Sequence, residues 1–132
     1  MSLDGTGKPP AEANLTKILG SRDCGNSPKN RFVQDLAVSM ECGNPIPEAF
    51  DEKVIWEQSS ASQMQGKKVL LAGLSARPKP ATITISHAVS HGKVGAACGE
   101  VTFPDGNRRR FCHVFEFTNN KANCVAGVRS YS

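Results

Sequence analysis

The side-chain period changes once along this chain, and that change restricts the folds open to it. In the first half, apolar residues recur at helical spacing; from Thr82 onward they alternate. Phe32, Val33, Leu36, Ala37 and Met40 follow the i, i+4, i+8 pattern of an amphipathic helix. Ser27-Pro28 supplies an N-cap followed by proline at the first helical position, and Gly43-Asn44-Pro45 stops the run. A helix is therefore predicted from Pro28 to Cys42. Val69, Leu70, Leu71 and Leu74 predict another over Lys67–Ala76, ended by Pro78 and Pro80. Ala11–Leu19, closed by Gly20, reads as a short helix, and Pro47–Phe50 as at most one turn. Asp51–Glu57 reads as a short β segment and Gln58–Gln65 as a polar loop.

Beyond residue 81 the period is 2. Thr82–Val89 alternates as a strand should, His91-Gly92-Lys93 is a turn, and Val94–Phe103 is a second strand. Pro104-Asp105-Gly106-Asn107 is a hairpin signal, because Asp-Gly supplies the positive φ of tight turns. Arg109–Thr118 is a third strand, with Phe111, His113, Phe115 and Phe117 on one face, and Cys124–Tyr131 a fourth. Helices followed by an antiparallel meander define an α+β chain, not alternating βαβ units. The sheet must bury one face and the helices are the cover at hand. The expected architecture is N-terminal helices packed in the concave face of a curved antiparallel sheet, a cone with an internal pocket. Residues 28–132 are read as one such domain and 1–27 as a flexible or partly helical lead-in.

Composition excludes several function classes. No run of about 18 apolar residues exists, so no membrane association is expected. Met1–Pro10 is polar, without the apolar stretch of a secretory signal. The five cysteines, at positions 24, 42, 98, 112 and 124, read as reduced thiols in a cytoplasmic protein. Cys98, Cys112, His113 and Cys124 lack the paired spacing of a zinc site, so neither a metal nor another cofactor is expected. Strand alternation also sends Cys112 and His113 to opposite faces, against a Cys–His nucleophile pair. Residues 1–66 carry six Lys/Arg and nine Asp/Glu, a net −3, whereas 67–132 carry ten and three, a net +7. Those basic residues are scattered and lack an accompanying aromatic RNP-like motif, so nucleic acid is not an expected partner.

Five local strings carry a resemblance. They are Phe32-Val33-Gln34-Asp35-Leu36, Val54-Ile55-Trp56-Glu57 before Gly66, His91-Gly92-Lys93-Val94-Gly95-Ala96, Phe111-Cys112-His113-Val114-Phe115-Glu116-Phe117, and Val128-Arg129-Ser130-Tyr131. In this order, from residue 28 to the C-terminus, they resemble the nuclear transport factor 2-like superfamily, which includes SnoaL-like polyketide cyclases and ketosteroid isomerase. The resemblance implies that Glu57 stands where the isomerase has its general-base carboxylate, and His113 where it has its oxyanion stabiliser. A carboxylate in an apolar pocket can take a proton from a carbon acid, and an imidazole opposite can donate to the enolate. Two departures stand out. Leu36 occupies the level of an assisting tyrosine, and Ser130 stands where the superfamily's epoxide hydrolases carry an aspartate.

The expected function is therefore binding of a small apolar molecule, with isomerase-like or cyclase-like acid–base catalysis by Glu57 and His113. Phe32, Leu36, Met40, Ile55, Trp56, Phe111, Phe115, Val128 and Ser130 would line the pocket. The competing expectation is a non-catalytic interaction module that forms a homodimer through the outer sheet face. The interior discriminates between them: Glu57 and His113 converging on an open cavity favours the enzyme, whereas Phe111, Phe115 and Met40 filling it favours the module. His87, in phase with Ile83 and Ile85, is expected to pack with them.

Overall fold

The computed structural model describes residues 15–59 and 61–132. Their elements run β1 (Lys17–Leu19), α1 (Pro28–Glu41), a 3-10 turn (Pro47–Ala49), β2 (Phe50–Gln58) and β3 (Ala61–Gln65). Then come α2 (Lys67–Ser75), β4 (Thr82–His91), β5 (Val94–Thr102), β6 (Arg108–Phe117) and β7 (Val125–Tyr131). The strands form one curved, open sheet in the order β1-β4-β5-β6-β7-β2-β3. The α+β architecture expected from the change of period is present.

Helix α1 starts as its sequence dictates. Ser27 is extended at the cap, its hydroxyl accepts from the Asn30 amide at 3.2 Å, and Pro28 follows. Past its end, Gly43 takes φ +68°, the left-handed conformation that favours glycine. The helix packs on β4 and β5, and α2 packs on β2 and β3. Gly95 permits the close approach of α1: a Cβ there would lie 2.6 Å from the Val33 side chain. Val33, Leu36 and Met40 meet Val54, Trp56, Ile83, Phe115 and Val128 in one continuous core.

Three local expectations are corrected. The helix predicted for Ala11–Leu19 is not found in its described part; Lys17–Leu19 is a strand parallel to Thr82–Thr84, and residues 11–14 lie outside the described residues. Ile18 and Leu19 are exposed, so the segment is held by main-chain bonds to β4, which side-chain spacing does not encode. The loop predicted for Gln58–Gln65 contains β3, antiparallel to β2 at the sheet edge, with Met64 alone turned toward the core and the polar side chains exposed. The sheet is also not wholly antiparallel, since β1 joins β4 and β2 joins β7 in parallel.

Candidate functional site

The predicted catalytic pair is not assembled. Trp56 points into the core, so the next residue on β2, Glu57, points out. There Glu57 lies 3.1 Å from the Arg129 guanidinium and accepts from the Gln63 amide at 3.0 Å. His113 is buried on the inner face. The carboxylate and imidazole are thus on opposite sides of one sheet, and no substrate in the hollow can touch both.

Nor is the predicted lining arranged around a void. Leu36, Met40 and Phe115 have no exposed area, and Trp56, Phe111, Val128 and Ser130 are buried beside them. Leu36, Met40 and Phe115, without exposed area, fill the concave face with side chains of the core. Phe32 is partly buried, its ring 6.2 Å from that of Phe117. Ile55 leaves the set altogether, because it shares the outward parity of Glu57.

Across this apolar interior runs a polar chain. Trp56 Nε1–H donates to Ser130 Oγ at 2.9 Å, Ser130 Oγ lies 2.7 Å from His113 Nδ1, and His113 Nε2 lies 2.6 Å from Glu41 Oε2. Burial by itself pushes the Glu41 carboxyl up. The hydrogen bond and charge of His113, with Arg109 and Arg77, outweigh burial and hold it down at about 2. An ionised carboxylate has no proton to give, so His113 Nε2 carries the hydrogen. Each of these buried polar groups has a partner within the chain, from indole to carboxylate.

Glu41 forms the floor of a cleft of about 240 Å³ lined also by Arg77, Pro78, Phe103, Arg109 and Ser132. Arg77 reaches Glu41 Oε2 at 3.3 Å and Arg109 bonds Oε1. The Arg77 guanidinium also lies over the Trp56 ring, 5.3 Å from its centre. Sequence reasoning missed Glu41, although it falls in line with Val33 and Ala37 at i+4 spacing, a charged residue on the apolar stripe. No comparable signal marks Arg77. Arg109 shares the parity of Phe111 and His113, but its neighbours Arg108 and Arg110 hide it within a basic run.

The other face of the sheet is continuous in a different way. Val89, Ala96, Val114 and Arg129 are register partners in one row across β4, β5, β6 and β7, ending on Glu57 of β2. His87, Cys98, Cys112 and Tyr131 form the adjacent row. His87 belongs there because a β-bulge between Ile85 and His87 reverses the parity of β4. The expected packing of His87 with Ile83 and Ile85 is therefore overturned; its ring is exposed, with Nδ1 3.1 Å from the Asp23 carboxylate. Gly99 opposite makes the bulge possible, since a Cβ there would lie 1.9 Å from the Thr84 carbonyl oxygen.

Among the described residues no group of three His, Cys, Asp or Glu side chains is placed to hold a metal ion, and no helix is long and apolar enough to cross a membrane.

A helix-filled, strongly curved sheet with this strand order is the nuclear transport factor 2-like cone fold, and this chain has it. Solved structures of that fold superpose on most of its length. One is an NTF2-like protein of unknown function from Burkholderia xenovorans LB400, 18% identical over 78% of this chain and 81% of that one, with a TM-score of 0.63. A protein provisionally assigned as a ketosteroid isomerase, from Kribbella flavida, is 15% identical over 78% and 76%, with a TM-score of 0.63. An LEH-like epoxide hydrolase of M. tuberculosis is 12% identical over 78% and 81%, at 0.58. At such identities the likeness is one of fold. No family model and no curated protein matches the sequence.

Proposed function

We propose that this chain is a non-catalytic interaction module that works as a homodimer, two copies meeting through the outer face of the sheet. The observation that carries this reading is the filled interior: Leu36, Met40 and Phe115 occupy the hollow in which a substrate would sit, and Glu57 lies outside it. The outer face supplies the alternative surface. Ile55, Val89, Val94 and Tyr131 are 38–51% exposed around a centre of Ala96, Cys98, Cys112 and Val114. Five strands at about 4.8 Å spacing, with nine residues at about 3.3 Å each, span roughly 24 by 30 Å. That is the scale of the roughly 800 Å² each partner contributes to a standard interface. Arg129 and Glu116, in neighbouring rows of the same face, make it complementary in charge to a second copy of itself, as a two-fold contact requires.

Sedimentation velocity tests the reading. The wild-type chain should run as a dimer at micromolar concentration, and Val114→Lys, with a charge at the centre of the patch, as a folded monomer. A monomeric wild type, or a Val114→Lys variant that still pairs, overturns it.

A second reading, acid–base catalysis with Glu41 in the place expected for Glu57, is favoured by the 2.6 Å contact of His113 with Glu41. It predicts deuterium exchange α to the carbonyl of a small cyclic ketone, faster than buffer, followed by NMR and abolished in His113→Gln. Exchange no faster than buffer removes it.

A further inference from the structure

We infer that the cleft over Glu41 is a binding site for a small organic carboxylate, held by Arg77 and Arg109. It lies on the concave side of the sheet, away from the proposed dimer face, and does not depend on that pairing.

Two guanidinium groups converge on one carboxylate, and both Glu41 oxygens are committed, Oε1 to Arg109 and Oε2 to Arg77 and His113. Two guanidinium groups thus face the single carboxylate of Glu41, and Ser132, also on the cleft wall, pairs with neither of them among the described residues. The donor count agrees. A guanidinium carries five N–H groups. The described residues give Arg77 and Arg109 one side-chain acceptor each, both on Glu41. The remaining donors face a cleft open to solvent, since Arg77 and Arg109 are 20% and 34% exposed. Buried Glu41 cannot turn to satisfy them.

The two cations are also held in place. Arg77 is fixed between the Trp56 ring and Glu41, and Arg109 is anchored by its bond to the same carboxylate. Guanidinium groups fixed in this way lose little further freedom when a planar anion meets them, and their fork matches a carboxylate through two parallel bonds. Phe103 and Pro78 form the apolar part of the wall and would cover the body of the ligand. The volume of about 240 Å³ is below the range of roughly 300–1,000 Å³ typical of drug-sized ligands, which selects a fragment-sized anion.

The experiment titrates the whole chain with benzoate, with its neutral isostere benzamide and with inorganic phosphate, followed by two-dimensional NMR. Benzoate should shift the resonances of Arg77, Phe103 and Arg109 saturably, and benzamide should not. Arg109→Gln should weaken benzoate at least tenfold, whereas Arg109→Lys should recover part of the loss. Arg110→Gln, on the outward face of the same strand, should bind as wild type and controls for a nonspecific charge effect. The inference is overturned if benzamide binds as well as benzoate, if phosphate shifts the cleft and benzoate does not, or if Arg109→Gln binds benzoate unchanged. Because the benzoate and benzamide comparison is made on the wild-type chain, it decides the question even if Arg109→Gln does not fold.

Discussion

Glu41 and His113 show how a buried polar residue is tolerated and what it costs. A carboxylate with no exposed side-chain area stays ionised because an imidazole and two guanidinium groups surround it. Its acidity makes stability depend on pH with a definite sign. The folded-state value, about 2, lies below the ordinary 4.5, so the unfolded chain takes up the proton first as pH falls. The stabilisation is complete above about 4.5 and is lost between there and about 2. Urea titrations from pH 5 to 2.5 should show wild-type stability falling steeply, and Glu41→Gln, which cannot titrate, falling less. Equal slopes would mean that Glu41 is not the group responsible. Ser130→Val leaves two buried groups unsatisfied, the Trp56 N–H and His113 Nδ1. At about 1–3 kcal/mol for each orphaned group, it should cost roughly 2–6 kcal/mol in urea with little change in slope. Glu41 was legible in principle, as a charge on the apolar stripe of α1. Its partners were not, because an ion pair spanning residues 41, 77 and 109 leaves no local pattern.

The elements divide by what their sequences encode. Helix α1 carries its own instructions: cap, initial proline, apolar stripe and terminating glycine all agree with the helix seen. Strands β5, β6 and β7 were readable from alternation and the Asp-Gly turn. Strands β1 and β3 were not, because an edge strand with little to bury has no apolar period to display. The β4 bulge defeated the parity argument for His87: one extra residue sends every later side chain to the other face. The glycines test these contacts. Gly95→Ala places a methyl group into Val33 and, 3.2 Å away, the Phe117 ring, so α1 must shift outward. A loss of about 1–3 kcal/mol is expected from overpacking, measured by thermal or urea unfolding. Gly99→Ala meets a backbone carbonyl that cannot step aside, and should be the more damaging of the two.

For the molecule as a whole, the cone fold is present but its hollow is occupied, and that shifts weight from the inside of the sheet to its outside. If two copies bury the outer face, folding and association are linked. The melting temperature should then rise with protein concentration over a hundredfold range, and should be independent of it in Val114→Lys. A wild-type melting temperature that ignores concentration would argue against the pairing. The amino-acid sequence alone determined the fold class and the identity of both helices and the four C-terminal strands. It also determined the inward face of Phe111, His113, Phe115 and Phe117, because each follows from the spacing of neighbours along the chain. The tertiary structure decided that Trp56 turns Glu57 outward and that Leu36, Met40 and Phe115 close the interior. It alone brought Glu41, Arg77 and Arg109 together over His113, because such meetings depend on how separate segments pack, and no local period records them.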